Sequence, residues 1–104
     1  MTSVAFLESL EQLIAARLRE TPEGSYTAAL AAKGAIAVAQ KLGEEGVELA
    51  LAAAAQGEAE VVAEAADVVY HLLVLLAVRG IPLATVVAAL EQRHRARVPG
   101  EPDG

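Results

Sequence analysis

The sequence predicts an all-α fold: an antiparallel bundle of four to five helices, completed by homodimerisation. Three observations carry that expectation. Of 104 residues, 24 are alanine and only three are aromatic, so the apolar content is small in volume and strongly helix-favouring. Apolar residues recur at spacings of three and four along most of the chain. The four prolines fall outside the apolar stretches. Ala-rich helices each bury little area, and a chain this short buries a modest share of its surface, so a second copy is expected to complete the core.

Thr2 or Ser3 is expected to cap a first helix running to about Arg19, with Phe6, Leu7, Leu10, Leu13, Ile14 and Leu18 on its apolar side. Thr21-Pro22-Glu23-Gly24-Ser25 reads as a loop, followed by a short helical turn from Tyr26 to Lys33. Gly34 breaks the chain before a long second helix, Ala35 to about Gln56. Gly43 and Gly46 lie inside that helix at a cost of about 1 kcal/mol each. They serve either close helix packing or the approach of a ligand to the backbone. Gly57 is expected to end this helix as a C′ residue, and Glu58 to Arg79 forms a third helix closed by Gly80. The short turn makes the two helices antiparallel. Pro82 marks a helix start, and a last helix from Leu83 to about Arg95 should turn Val86, Val87 and Leu90 inward. One domain is expected over residues 1–96, with a disordered tail over 97–104.

A net charge of −6 argues against nucleic acid as a partner, because backbone binding needs clustered Lys and Arg. The absence of cysteine removes disulfides, thiolate chemistry and Cys-based zinc sites. The start of the chain lacks the basic and apolar blocks of a signal peptide. The richest apolar run, Val68 to Val78, is interrupted by His71 and is too short to span ~30 Å of hydrocarbon. A cytoplasmic protein with no membrane partner is expected.

Two acidic stripes carry the chemistry. On the second helix, Lys41, Glu44, Glu45 and Glu48 fall three and four residues apart and share a face. On the third, Glu60, Glu64, Asp67 and His71 do the same within a helix apolar nearly all round, which is normally a buried one. A buried carboxylate needs a partner. The two lysines, Lys33 and Lys41, cannot neutralise them all, and the arginines cluster near the chain ends and at Arg79. A hard divalent cation can, since Mg²⁺ and Mn²⁺ prefer oxygen ligands and commonly share them with phosphates. His71 reads either as a core histidine bonded to a carbonyl or as a ligand or proton carrier. A di-iron bundle would want Glu-x-x-His on two helices, which is absent.

Glu45-x-x-Glu48, a 15-residue gap and Glu64-x-x-Asp67 together resemble the signature of the MazG-type all-α NTP pyrophosphohydrolases. Further strings narrow the resemblance: Gly24-Ser25-Tyr26-Thr27, Ala39-Gln40-Lys41-Leu42-Gly43-Glu44-Glu45-Gly46-Val47-Glu48, Ala66-Asp67-Val68-Val69-Tyr70-His71 and Glu91-Gln92-Arg93-His94. With these the chain resembles the phosphoribosyl-ATP pyrophosphohydrolases of histidine biosynthesis over roughly residues 5 to 95. The resemblance implies Mg²⁺-dependent hydrolysis of phosphoribosyl-ATP to phosphoribosyl-AMP and pyrophosphate by a homodimer. It implies metal ligands Glu45, Glu48, Glu64 and Asp67, Glu44 as a further ligand or water-orienting base, and Lys41 on phosphate. It also implies Ser25, Tyr26, Thr27 and Lys33 at the nucleotide or ribose-phosphate end. The chain departs from that pattern at Ala29, Ile36 and Ala37, where relatives are often basic. It is expected to act alone, without the fused cyclohydrolase that some relatives carry. The competing readings are a house-cleaning nucleotide pyrophosphatase with the same metal site and a non-enzymatic helical dimerisation module. The last predicts solvated acidic stripes and no dependence on metal.

Overall fold

A computed structural model describes residues 2–97; Arg97, expected to open the tail, ends the last helix, and the rest of that tail, 98–104, lies outside the described residues. Five helices follow in order: α1 (Phe6–Glu20), α2 (Tyr26–Ala32), α3 (Ala35–Ala55), α4 (Glu58–Val78) and α5 (Leu83–Arg97). No strand occurs among the described residues, so the all-α expectation is met. The α3–α4 hairpin is the principal packing unit, and α1 and α2 lie against it.

The helix ends follow from local chemistry. Ser25 caps α2, its Oγ accepting the Ala28 N–H at 3.1 Å. Gly34 enters α3 at φ +97°, a conformation open to glycine and strained for other residues. Gly80 closes α4 at φ +69°, with the Ile81 N–H on the Leu76 carbonyl (2.8 Å) and its own N–H on Ala77 (3.1 Å), a Schellman arrangement. Two expected caps differ. Ser3 does not cap α1: its Oγ accepts the Ala5 N–H at 3.1 Å, two residues on, and the helix starts from Ala5 without a side-chain cap. Gly57 is extended (φ −89°, ψ 177°) and serves as the N-cap of α4 rather than a left-handed C′ residue of α3. Glu60 reaches back to the Gly57 N–H at 3.4 Å, which makes the connection a helix start as much as a helix end.

The core sits at one end of the hairpin. Ile14 of α1, Leu30 of α2, Val38 of α3 and Leu73 and Val74 of α4 are buried together, flanked by Leu7, Leu10, Leu18 and Tyr70. Phe6 and Leu13, expected inside, are exposed because α1 covers α4 with only one edge of its apolar side. The helix α5 makes only slight contact with the rest of the chain, so Val87 and Leu90 face outward, contrary to expectation, while Val86 is half-buried. Its first turn is held instead by Glu11, whose Oε2 accepts the Leu83 N–H at 2.7 Å. A carboxylate from α1 thus satisfies an orphan donor of α5 and faces the positive end of its dipole. Burial of α4 is met only in its C-terminal half: His71, Leu73 and Val74 are covered, whereas Val62 is 60% exposed. Taken whole, this 21-residue helix is long and apolar enough to cross a membrane by length and composition, a wider span than Val68 to Val78 alone. The interior of a globular assembly selects the same composition.

Candidate metal and phosphate site

The α3–α4 hairpin brings the two acidic stripes face to face. Carboxylate oxygens of Glu45, Glu48 and Glu64 lie within 4.8 Å of one another, close enough to share one cation. Glu45 is buried, Glu64 half-buried and Glu48 exposed, so the cluster runs from the interior to the surface. Glu45 Oε2 and Glu64 Oε2 are buried with no hydrogen-bond partner. Unsatisfied buried carboxylate oxygens are costly, and a divalent cation is the partner that would satisfy both at once. The donor set fits Mg²⁺ or Mn²⁺: all hard oxygens, few in number, open on one side to water and phosphate.

Lys41, one turn before Glu45, places Nζ 3.0 Å from Glu45 Oε1. That hydrogen bond and the Glu45 charge hold the lysine above its ordinary pKa, with smaller support from Tyr26 and Glu44. Lys41 is therefore an ammonium at the rim of the acidic cluster. The pKa of Glu64 is raised as well, which for a carboxyl disfavours the charged form. Burial pushes its carboxyl up, reinforced by a hydrogen bond to the neighbouring Glu48 and by the charges of Glu48, Asp67 and Glu45. Three carboxylates gathered without a cation retain a proton more readily than an isolated glutamate.

A pH dependence follows. With its folded-state pKa above the unfolded one, Glu64 makes the native state hold more protons than the unfolded chain just above the usual glutamate range. The contribution of Glu64 to stability is therefore fully present below that range and is lost as pH rises through its raised pKa. Thermal unfolding in chelator should show a contribution to Tm that is lost as pH rises above the ordinary glutamate range, and Glu64→Gln should remove that contribution. The same loss in the variant would show that Glu64 is not its source.

Other predicted residues are placed less uniformly. Asp67 is exposed and lies outside the three-carboxylate set, although its charge reaches Glu64. Glu44 is exposed beside Lys41. In the Ser-Tyr-Thr string, Ser25 is engaged as a helix cap and Thr27 is buried, its hydroxyl bonded to that of Tyr70. Only Tyr26 presents a largely exposed side chain, at 54%. Lys33 is exposed at the end of α2, with no ion pair to the cluster among the described residues. A Cβ added at Gly43 or Gly46 would meet open space, so neither glycine serves helix packing within this chain. His71 is bonded to a carbonyl, as the first of its two readings expects: its Nδ1 lies 2.8 Å from the Asp67 carbonyl. Its Nε2 also meets the Tyr26 hydroxyl at 2.9 Å, a link across 45 positions that no local spacing signals.

A family model for phosphoribosyl-ATP pyrophosphohydrolase matches residues 7–94. The chain belongs to the phosphoribosyl-ATP pyrophosphohydrolase family. It is 56% identical over 95 residues to a phosphoribosyl-ATP pyrophosphatase of Metallosphaera sedula, covering 91% of this chain and 100% of that protein. It is also 56% identical over 90 residues to the histidine biosynthesis bifunctional protein HisIE of Xanthomonas campestris, covering 86% of this chain and 44% of the relative. The HisIE of Vibrio parahaemolyticus is 50% identical over 94 residues, with 90% and 44% covered. The chain thus spans less than half the length of the bifunctional relatives and the whole of the pyrophosphatase. The family match takes in the α3–α4 hairpin, and with it all three clustered carboxylates and Lys41.

Proposed function

We propose that this chain hydrolyses phosphoribosyl-ATP to phosphoribosyl-AMP and pyrophosphate with Mg²⁺, as a cytoplasmic homodimer. The observation that carries the reading is the pair of buried, partnerless oxygens on Glu45 and Glu64, two members of one carboxylate cluster, in a chain of the phosphoribosyl-ATP pyrophosphohydrolase family. Glu45, Glu48 and Glu64 would hold the metal, with Asp67 and Glu44 at its edge. When bound, the cation would neutralise the anhydride oxygens and lower the pKa of an attacking water. Glu44, exposed on the same helix as Glu45 and Glu48, would be the further ligand or the base that orients that water. With the cation held by the carboxylates, Lys41 would be free to meet the charge that develops on the departing pyrophosphate. Asp67 and Glu64 inside α4 favour the interior of a protein assembly over a bilayer, where a central Asp alone costs roughly 2.5–3.5 kcal/mol.

Turnover of phosphoribosyl-ATP, compared with common nucleoside triphosphates with and without Mg²⁺, tests the reading. Hydrolysis of phosphoribosyl-ATP that requires the metal is expected. Preference for other triphosphates would favour a house-cleaning pyrophosphatase.

Exposed apolar side chains support the dimer reading. Val47 and Leu51, one turn apart on α3, and Val62 on α4 and Leu90 on α5 are each about 60% exposed, apolar side chains that a second copy would cover. Sedimentation equilibrium at micromolar concentration should return twice the monomer mass of 10.7 kDa. Val47→Glu combined with Leu51→Glu should shift it towards monomer. A folded monomer in the unsubstituted protein would refute the dimer.

A further inference from the structure

Among the helices, α5 is the one that its own chain holds least. It runs for 15 residues with only slight contact to the rest of the bundle, and Val87 and Leu90 face outward. Its first turn depends on one side chain of α1. Glu11 Oε2 accepts the Leu83 N–H at 2.7 Å, a bond across 72 positions. No local residue supplies that cap: Ile81 and Pro82, which lead into the helix, have no side-chain acceptor, so the Leu83 N–H would otherwise be left to water. The packing around the bond is open. Two grooves border Glu11, one of about 470 Å³ shared with Leu7, Leu83 and Val87 and one of about 440 Å³ shared with Leu18, Ala77 and Pro82. The buried core of Ile14, Leu30, Val38, Leu73 and Val74 includes no residue of α5, and of that helix only Leu83 borders it.

The connector defines where α5 can turn. At the end of α4 the Ile81 N–H is fixed on the Leu76 carbonyl and the Gly80 N–H on Ala77, at 2.8 and 3.1 Å. Pro82 locks its own φ. Rotation is left to the backbone angles of Ile81 and to ψ of Pro82, a pivot of two residues between a fixed helix end and a rigid rod. We propose that α5 is a hinged arm turning at Ile81–Pro82, and that Glu11 is the latch that docks it on the bundle. Latched, the arm presents Val87 and Leu90 in one direction. Unlatched, it swings while α1 to α4 keep their packing, because the buried core lies wholly within those four helices. The latch needs neither metal nor substrate, and it is independent of the chemistry assigned to Glu45, Glu48 and Glu64.

Two measurements on the full chain test it. The first is amide hydrogen exchange at Leu83, whose N–H is bonded to Glu11 alone, so that its protection reads the closed latch directly. Leu83 should be protected in the wild type and lose that protection in Glu11→Ala, while Leu73 and Val74 keep theirs. An unprotected Leu83 in the wild type would overturn the latch. The second is the distance between spin labels. The chain has no cysteine, so Ser9→Cys on α1 and Gln92→Cys on α5, both exposed positions, give one defined pair. Dilution with unlabelled protein confines the reading to pairs within one chain, whatever its oligomeric state. With Glu11 present a single narrow distance is expected. Glu11→Ala should shift the ratio of docked to swung arm by roughly five- to thirtyfold, the factor that one lost helix cap is worth, and broaden the distribution.

Three further variants separate a latch from its alternatives. Glu8→Ala removes the same charge from the same groove without touching α5, and it should leave the distance narrow. Glu11→Gln keeps an acceptor oxygen and gives up the charge; its shift should be smaller than that of Glu11→Ala, because a charged acceptor bonds about twice as strongly as a neutral one. If Glu11→Ala does not fold, Glu11→Gln carries the test. Labels at Ser9→Cys and Gln56→Cys, which span α1 and the α3–α4 turn, should keep one narrow distance in every variant. A Ser9–Gln92 distance as narrow in Glu11→Ala as in the wild type would overturn the proposal. So would broadening of the Ser9–Gln56 pair, since the bundle would then loosen as a whole and α5 would not be an arm.

Discussion

Glu45→Gln is expected to lower kcat/KM on phosphoribosyl-ATP by more than about 10²-fold, because loss of a residue merely supporting a ligand already costs about 10–100-fold. Glu45 is the buried member of the carboxylate set, and its Oε2 has no partner. The amide keeps the size of the side chain and removes the charge that would face the cation. Manganese titration, followed by calorimetry, should show weakened metal binding in parallel with the lost activity. Unfolding in chelator separates this from damage to the fold: the variant should remain cooperatively folded, since removing one of several crowded negative charges relieves repulsion. Metal affinity and turnover at the wild-type level would remove Glu45 from the site. Asp67→Asn is the informative companion, because Asp67 lies outside the three-carboxylate set. If it too abolishes turnover, the α4 carboxylate must join the others when metal and substrate are present.

The second large effect is expected from Lys41→Met. Lys41 pairs with Glu45 at 3.0 Å, which is the duty of a charge balancer. If that were its whole contribution, the variant would bind Mg²⁺ more tightly, as a competing cation has gone, and would reach the wild-type rate at saturation. A lysine that also meets the developing pyrophosphate charge gives a different result. Stabilisation confined to the transition state appears in kcat, and removing one such donor costs about 10²–10³-fold. Single-turnover hydrolysis across a Mg²⁺ series is expected to show that loss at every concentration. Recovery at high Mg²⁺ would leave Lys41 as a balancer only.

Much of this was legible in the residues because helices are local objects. The spacing of three and four along α1, α3 and α4, the glycine that closes α4, and the two acidic stripes all concern residues within a few turns of each other. Even the pairing of the stripes was accessible, since a short turn at Gln56-Gly57 leaves two long helices little choice but to run back on each other. The apolar face of a helix, however, does not say whether anything in the same chain covers it. The pattern of Val87 and Leu90 is that of inward residues, yet α5 is held at its first turn by Glu11 and these side chains face outward. Gly57 has the composition of a helix terminator and acts as a helix starter, because its backbone angles are set by the hairpin it connects. Within the carboxylates, residue type marked the stripes, but only docking of α3 on α4 selected Glu45, Glu48 and Glu64 as the close set and left Asp67 beside it. The bond from Tyr26 to His71 lies furthest from the reach of sequence. Helical periodicity is fixed by backbone geometry over a few residues, whereas a contact across 45 positions depends on how α2 settles against α4, which is decided by packing of the whole core.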